Sequence, residues 1–192
     1  MRKFVKLLIV AALPPLATLI APLPGVAQEQ KPYSGLETRG IKALSDQQVA
    51  DLSAGRGAGF ALSAELNGYP GPAHVLENAD ALMLTPSQRE LTRSLFASMK
   101  REAIPLGRRL IEQEAELDRL FATLAITPAS LEAATQAIGQ TEADLRQTHL
   151  KYHLSMIGVL SKEQVSRYGE LRGYASREGS NPHHQHAPKA NE

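Results

Sequence analysis

From Pro86 onward, Leu91, Leu95, Met99, Leu106, Leu110, Leu117 and Leu124 recur at intervals of four and seven, with arginines and glutamates between them. That spacing lays an apolar stripe along one side of a helix of roughly 40 residues, which needs a second long element to cover it. From Pro128 to about Val159, Leu131, Ile138, Leu145, Leu150, Leu154 and Ile157 supply that second helix. Only Ala125-Ile126-Thr127 separates the two, a connection short enough to force them antiparallel. Pro105 falls inside the first helix and predicts a kink there, because its ring displaces the bond to the carbonyl four residues back. Nothing alternates with period two, so the chain is predicted to be all-α, a long antiparallel helical hairpin with flanking short helices.

The starts of the helices can be read from one repeated pattern. Leu44-Ser45-Asp46-Gln47-Gln48, Leu84-Thr85-Pro86-Ser87-Gln88 and Leu160-Ser161-Lys162-Glu163-Gln164 each place Ser or Thr after an apolar residue and Gln three positions further on. The hydroxyl accepts from the backbone N–H at the third helical position while the Gln side chain reaches back, so two otherwise unpaired donors are satisfied. Helices therefore start near 46, 86 and 162. Thr127-Pro128 gives a fourth start, with Pro at the first helical position and Ser130 where the Gln would stand. Short helices are expected at about 46–54, 58–66 and 72–80, joined by Gly55-Arg56-Gly57-Ala58-Gly59 and Asn67-Gly68-Tyr69-Pro70-Gly71-Pro72. The last helix should run from Lys162 to Arg172 and stop at Gly173, which tolerates the left-handed conformation.

The ends of the chain differ from this. Residues 1–27 open with Arg2, Lys3 and Lys6, continue through the apolar run Leu7 to Leu23, and finish in Gly25-Val26-Ala27 before the polar Gln28-Glu29-Gln30. This is the layout of an export signal cleaved after Ala27, and Pro14, Pro15, Pro22 and Pro24 argue against an uncleaved membrane anchor. The whole chain carries 21 Lys plus Arg against 20 Asp plus Glu. Removing the signal takes away three of the basic residues and leaves a slightly acidic mature chain, which excludes a nucleic-acid binder working through a basic face. Residues 28–40 read as a flexible leader, 41–174 as the all-α domain, and 175–192, with His183, His184 and His186, as a disordered tail. With no cysteine in the chain, disulfides and thiolate metal sites are excluded.

The Leu-Thr-x-x-Gln form of the helix starts, complete at Leu84 to Gln88 and with Ser for Thr at Leu160 to Gln164, resembles the LTxxQ stress proteins of the bacterial periplasm, the Spy/CpxP type. A second likeness lies in Leu131-Glu132-Ala133-Ala134-Thr135-Gln136, Asp144-Leu145, Leu150, Met156 and Leu160, which are similar to the corresponding helix of the periplasmic nickel and cobalt resistance sensors. Together the resemblance covers about residues 72–173 and leaves 33–71 outside. It implies a hook-shaped four-helix core, pairing into a homodimer, and one of two non-enzymatic roles. These are metal sensing coupled to a membrane-bound sensor or anti-sigma partner, or ATP-independent holding of unfolded client proteins. The sensors carry two histidines four apart on the first core helix, where this chain has His74 followed by Glu77 and Asp80. They carry His four positions before the methionine, where this chain has Tyr152.

His149, His153 and Met156 share one face of the second long helix at successive turns. Two imidazoles and a thioether suit nickel, cobalt, copper or zinc, with His74 or Glu77 completing the set from across the hairpin. The same three residues also continue the stripe of Leu131, Ile138 and Leu145, and would then line the hairpin with each imidazole bonded to a neighbour. The tail histidines form either a loose capture arm or a solvated tail. No enzyme is expected. His149-Leu150-Lys151-Tyr152-His153 has the two-histidine spacing of a zinc protease but Leu in place of the Glu that would act as base. The glycines at 55, 57 and 59 lack the register of a dinucleotide loop, and no organic cofactor is implied. Heavy-metal binding or sensing is the function expected. A refolding chaperone is the alternative, supported by the mixed charges of Lys100-Arg101-Glu102, Arg108-Arg109 and Glu112 to Arg119 beside the apolar hairpin.

Overall fold

The computed structural model describes residues 33–174, so the export signal, the first residues of the leader and the histidine tail lie outside the described residues. Contacts divide the chain into Met1–Ser34 and Gly35–Glu192, and the fold is that of the second unit. It is all helical. A 3-10 turn at Leu36–Thr38 falls within the segment read as a leader and is followed by α1 (Asp46–Ser53), α2 (Leu62–Glu65), α3 (Pro72–Glu77), α4 (Pro86–Ala122), α5 (Pro128–Ile157) and α6 (Lys162–Leu171). The long helices α4 and α5 pack against each other as the hairpin the two stripes required.

All the expected capping boxes form, at Ser45/Gln48, Thr85/Gln88 and Ser161/Gln164. At Thr127 the missing Gln is replaced by Ser130, whose hydroxyl accepts from the Thr127 N–H at 2.9 Å while its own N–H donates to the Thr127 hydroxyl at 3.1 Å. Two of the capping glutamines do more than cap. Gln88 Nε2 donates to Gln164 Oε1 at 2.8 Å and to the Val159 carbonyl at 2.9 Å, while Gln164 Nε2 donates to Gln88 Oε1 at 3.1 Å and to the Leu82 carbonyl at 3.1 Å. The two Leu-Thr/Ser-x-x-Gln segments thus face each other through a reciprocal amide pair that joins the start of α4 to the start of α6.

Most of the leucine stripe faces the core: Met99 and Leu110 are enclosed, and Leu95, Leu106 and Leu117 pack against the buried clusters. Its two ends, Leu91 on α4 and Leu124 just beyond it, are exposed, while Thr92, Ala103 and Gly107 are enclosed as well. At Gly107 the helices approach closely: a Cβ there would sit 2.3 Å from the Leu52 carbonyl oxygen, so α1 rests on the α4 backbone where only small residues fit. On α5, Ile138 and Leu145 are buried as expected, but the last three turns turn His149, Tyr152, His153 and Met156 inward and leave Leu154 and Ile157 outside. Glu102 on α4 accepts from Tyr152 Oη at 2.8 Å and pairs with Lys151, tying the two long helices on their outer side.

Two apolar clusters result. One gathers Leu44, Leu52, Ala103, Leu110, Ile138 and Leu145 along the hairpin. The other gathers Val75, Ala79, Leu82, Leu84, Met156, Leu160 and Tyr168 where α3 and α6 meet the hairpin base.

The short helices are shorter than their pattern suggested. α2 begins at Leu62, not 58, because Gly55, Ala58 and Gly59 hold positive φ and keep the chain out of the helical region. α3 ends at Glu77, where the Asn78 side chain donates to the His74 carbonyl at 2.8 Å. Gly173 takes φ 72 past the end of α6, as expected of that glycine, and Leu124 takes φ 56 at the corresponding place after α4.

Candidate metal and carboxylate site

A cavity of about 450 Å³ opens where the Gly55–Gly59 joint, α2, α3, α4 and α5 come together. Its wall is mainly apolar, with Leu62, Pro72, Phe96 and Met99 among its residues, and into it are set His149, His153, His74, Glu77 and Glu65. Four of the five residues singled out in the sequence therefore share one cavity. Met156 does not reach it: fully enclosed, it packs with Val75, Leu82 and Tyr168 in the cluster at the hairpin base.

His149 is 2% exposed, and its Nε2 is buried without a hydrogen-bond partner. Burial, with a smaller contribution from the charge of His153, lowers its pKa to about 4, so the ring is neutral at neutral pH. His153, one turn on, is held by a bond of 2.6 Å between Nδ1 and the Tyr69 carbonyl. A carbonyl only accepts, so Nδ1 carries a proton, and in the neutral ring the lone pair belongs to Nε2. Gly71 lies against that edge of the ring; a Cβ there would stand 2.9 Å from Nε2, so the turn entering α3 can cover His153 only with glycine at this place.

Glu65, the last residue of α2, is 5% exposed and forms the centre of the polar groups. The Tyr168 hydroxyl of α6 donates to its Oε1, the His74 Nδ1 lies 3.3 Å from the same oxygen, and Arg172 Nε lies 3.4 Å away. Its Oε2 makes no hydrogen bond and has His153 Nδ1 at 3.7 Å. Burial pushes this carboxyl up, but the hydrogen bonds from His74 and Tyr168 and the charges of His74 and His153 outweigh it and hold the pKa at about 2. Glu65 is therefore ionised. Burial and the bond to Glu65 push the Tyr168 phenol well above its ordinary value.

Chemically the cavity offers a buried, uncharged imidazole whose Nε2 has no hydrogen-bond partner, a second imidazole with its tautomer fixed from behind, and a third imidazole and a carboxylate on α3. That donor set fits a borderline transition-metal ion better than a hard, all-oxygen one. Among the described residues no three His, Asp or Glu side chains are gathered closely enough to hold an ion as they stand.

Glu65, Tyr168 and Arg172 did not emerge from the sequence. Glu65 sits in the unremarkable run Ala64-Glu65-Leu66, and neither periodicity nor spacing shows that an acid there is enclosed. The one available signal was the Gly71-Pro72 pair two residues after Tyr69, which marks a close backbone approach without saying to what.

An all-α hairpin protein with a histidine- and carboxylate-lined cavity at its base is the class that fold and site define. A family model described as heavy-metal resistance matches residues 54–167, more than half of the chain, and the protein belongs to that heavy-metal resistance family. The match begins at Ala54, well before residue 72, so the glycine joint and Glu65 lie inside the family's common region and not outside it as the motifs suggested. No curated protein and no solved structure matches the chain.

Proposed function

We propose that the protein binds a transition-metal ion of the nickel, cobalt, copper or zinc type at this cavity and serves as a sensor in heavy-metal resistance. The observation that carries the proposal is His149, an enclosed and neutral imidazole with an unpartnered Nε2, lining a cavity that also takes His153, His74 and Glu77. Leaving a buried polar nitrogen unpaired costs about 1–3 kcal/mol, a cost an ion on that nitrogen would relieve. His149 and His153 supply two nitrogens from α5, and His74 and Glu77 supply further donors from α3. Because these donors do not converge as the structure places them, completing the set means drawing α3 towards α5. A ligand that prefers the drawn-in state shifts the population towards it, which is what a sensor requires.

Export to the periplasm with cleavage after Ala27, pairing of two copies, and a membrane-bound partner that reads the change complete the proposal. The first is supported by Arg2, Lys3, Lys6 and the apolar run behind them, the others by the likeness to the LTxxQ and sensor proteins. One observation favours a second reading, the holding of unfolded clients: Ala143, Leu150 and Leu154 line a shallow depression on the outer side of α5, flanked by Arg146 and Lys151.

Calorimetric titration of the mature chain with the four ions, beside the His149→Ala/His153→Ala double variant, tests the first reading. Binding should be lost in the double variant and kept without residues 175–192; unchanged affinity in the double variant would sink it. Suppression of client aggregation by metal-free protein without ATP would favour the second.

A further inference from the structure

Behind the histidines of the cavity stands a carboxylate whose arrangement suggests a task of its own. Glu65 is enclosed and held on Oε1 by Tyr168 of α6, with Arg172 beside it. The face it turns to the cavity meets the Nδ1 atoms of two histidines, His74 at 3.3 Å from Oε1 and His153 at 3.7 Å from Oε2. A carboxylate accepts and never donates, so a ring nitrogen bonded to it must carry the proton. His74 is then held as the Nδ1–H tautomer with its lone pair on Nε2. His153 is held in the same tautomer by the Tyr69 carbonyl at 2.6 Å, and the Glu65 charge adds to that preference.

We propose that Glu65 is a positioning residue for the metal site, fixing His74 in the Nδ1–H tautomer, reinforcing that of His153, and connecting both through Tyr168 to α6. This rests on the reading of the cavity as a metal site. Partners of this kind orient the ring and raise its basicity, and their loss typically costs about 10–100-fold in metal affinity. The connection also supplies a route outward. Glu65 closes α2, His74 lies on α3, His153 on α5, and Tyr168 and Arg172 on or just after α6, so one carboxylate joins four elements around the cavity. A displacement of His74 that accompanies metal binding therefore reaches α6 through a single hydrogen-bonded oxygen.

The test uses the full chain in two measurements. In the metal-free protein, long-range 1H–15N spectra of the imidazoles should show His74 and His153 as Nδ1–H tautomers. In Glu65→Gln, whose amide can present either an oxygen or an NH2 group to the ring, His74 should become a mixture, with helix content by circular dichroism unchanged. Cobalt affinity should fall roughly 10–100-fold in the same variant. Should Glu65→Gln fold poorly, Tyr168→Phe removes only the link to α6: the His74 tautomer should persist, while cobalt-induced changes in amide exchange along α6 should disappear. An unaltered His74 tautomer together with cobalt affinity within about twofold in Glu65→Gln, or α6 exchange that still responds in Tyr168→Phe, would overturn the proposal. The tautomer is read without metal. Loss of binding in His149→Ala/His153→Ala with no effect of Glu65→Gln would leave the metal site standing and the positioning role refuted; cobalt affinity unchanged in the double variant would refute the site itself.

Discussion

At the scale of single residues, the cavity is defined by groups whose ordinary chemistry has been suppressed. His149 titrates near 6.5 in an unfolded chain and near 4 when enclosed, so the unfolded state binds the extra proton first as the pH falls. Its contribution to stability is full above the unfolded value and is lost on the way down through the folded one. The loss should be on the order of 3 kcal/mol between pH 7 and pH 4. Urea midpoints measured at pH 7 and pH 5 should therefore separate widely for the metal-free protein and much less for His149→Gln, which has nothing to protonate; equal separations would show that His149 is not held neutral. Glu65 acts in a lower window, between the ordinary carboxylate range and about 2, and with the same sign: stabilising above, lost below. The pair His149 and His153 was legible in the sequence because four-residue spacing on a helix puts side chains on one face. Whether that face was enclosed was not legible, because the adjacent Leu150, Leu154 and Ile157 form an equally regular stripe pointing elsewhere. The inward turn was decided by what packs against α5, namely Tyr69 and Gly71, which are some 80 residues away in the chain.

At the scale of elements, boundaries were read well where a side chain sets them and less well where the backbone does. Ser45, Thr85, Thr127 and Ser161 all cap helices as their sequence neighbours indicate. The late start of α2 depends on positive φ at Ala58 as well as at the glycines, which no residue preference foretells. The reciprocal contact of Gln88 and Gln164 was likewise invisible, since each glutamine is fully accounted for by its own cap. Removing one leaves partly enclosed groups on both sides, so Gln88→Ala should cost about 1–3 kcal/mol, more than an ordinary capping loss of about 1. A double-mutant cycle with Gln164→Ala should show coupling of at least about 0.5 kcal/mol, and additive losses would deny the pairing. Leu124 gives a prediction of opposite sign. It holds φ 56 at the end of α4 and is 90% exposed, so it has the strain of a left-handed residue with no packing in return. Leu124→Gly should raise stability by about 1 kcal/mol in denaturant melts, since glycine adopts that conformation without strain.

At the scale of the whole molecule, the hairpin holds the cavity on rigid helices at one side, α4 and α5, while the other side is built from the short α2 and α3 joined by glycine-containing turns. This division suits a sensor: a pair of imidazoles on one long helix, and further donors on a short helix entered through a glycine-containing turn. An ion that binds only the folded chain must stabilise it, by about 2.7 kcal/mol when its free concentration is 100 times the dissociation constant. The Tm should then rise by roughly 5–10 °C on saturation with nickel or cobalt, and this rise should vanish in His149→Ala/His153→Ala. A rise that survives in the double variant would place the ion elsewhere, the tail histidines being the first alternative to examine.

The central claim, that the imidazoles of the cavity hold the ion, is tested most directly by X-ray absorption at the metal edge of the zinc-loaded chain, with His183, His184 and His186 replaced by asparagine. The predicted spectrum contains at least two imidazole nitrogens at about 2.0–2.1 Å with their outer-ring scattering. A shell of oxygen alone, with no imidazole scattering, would contradict the account.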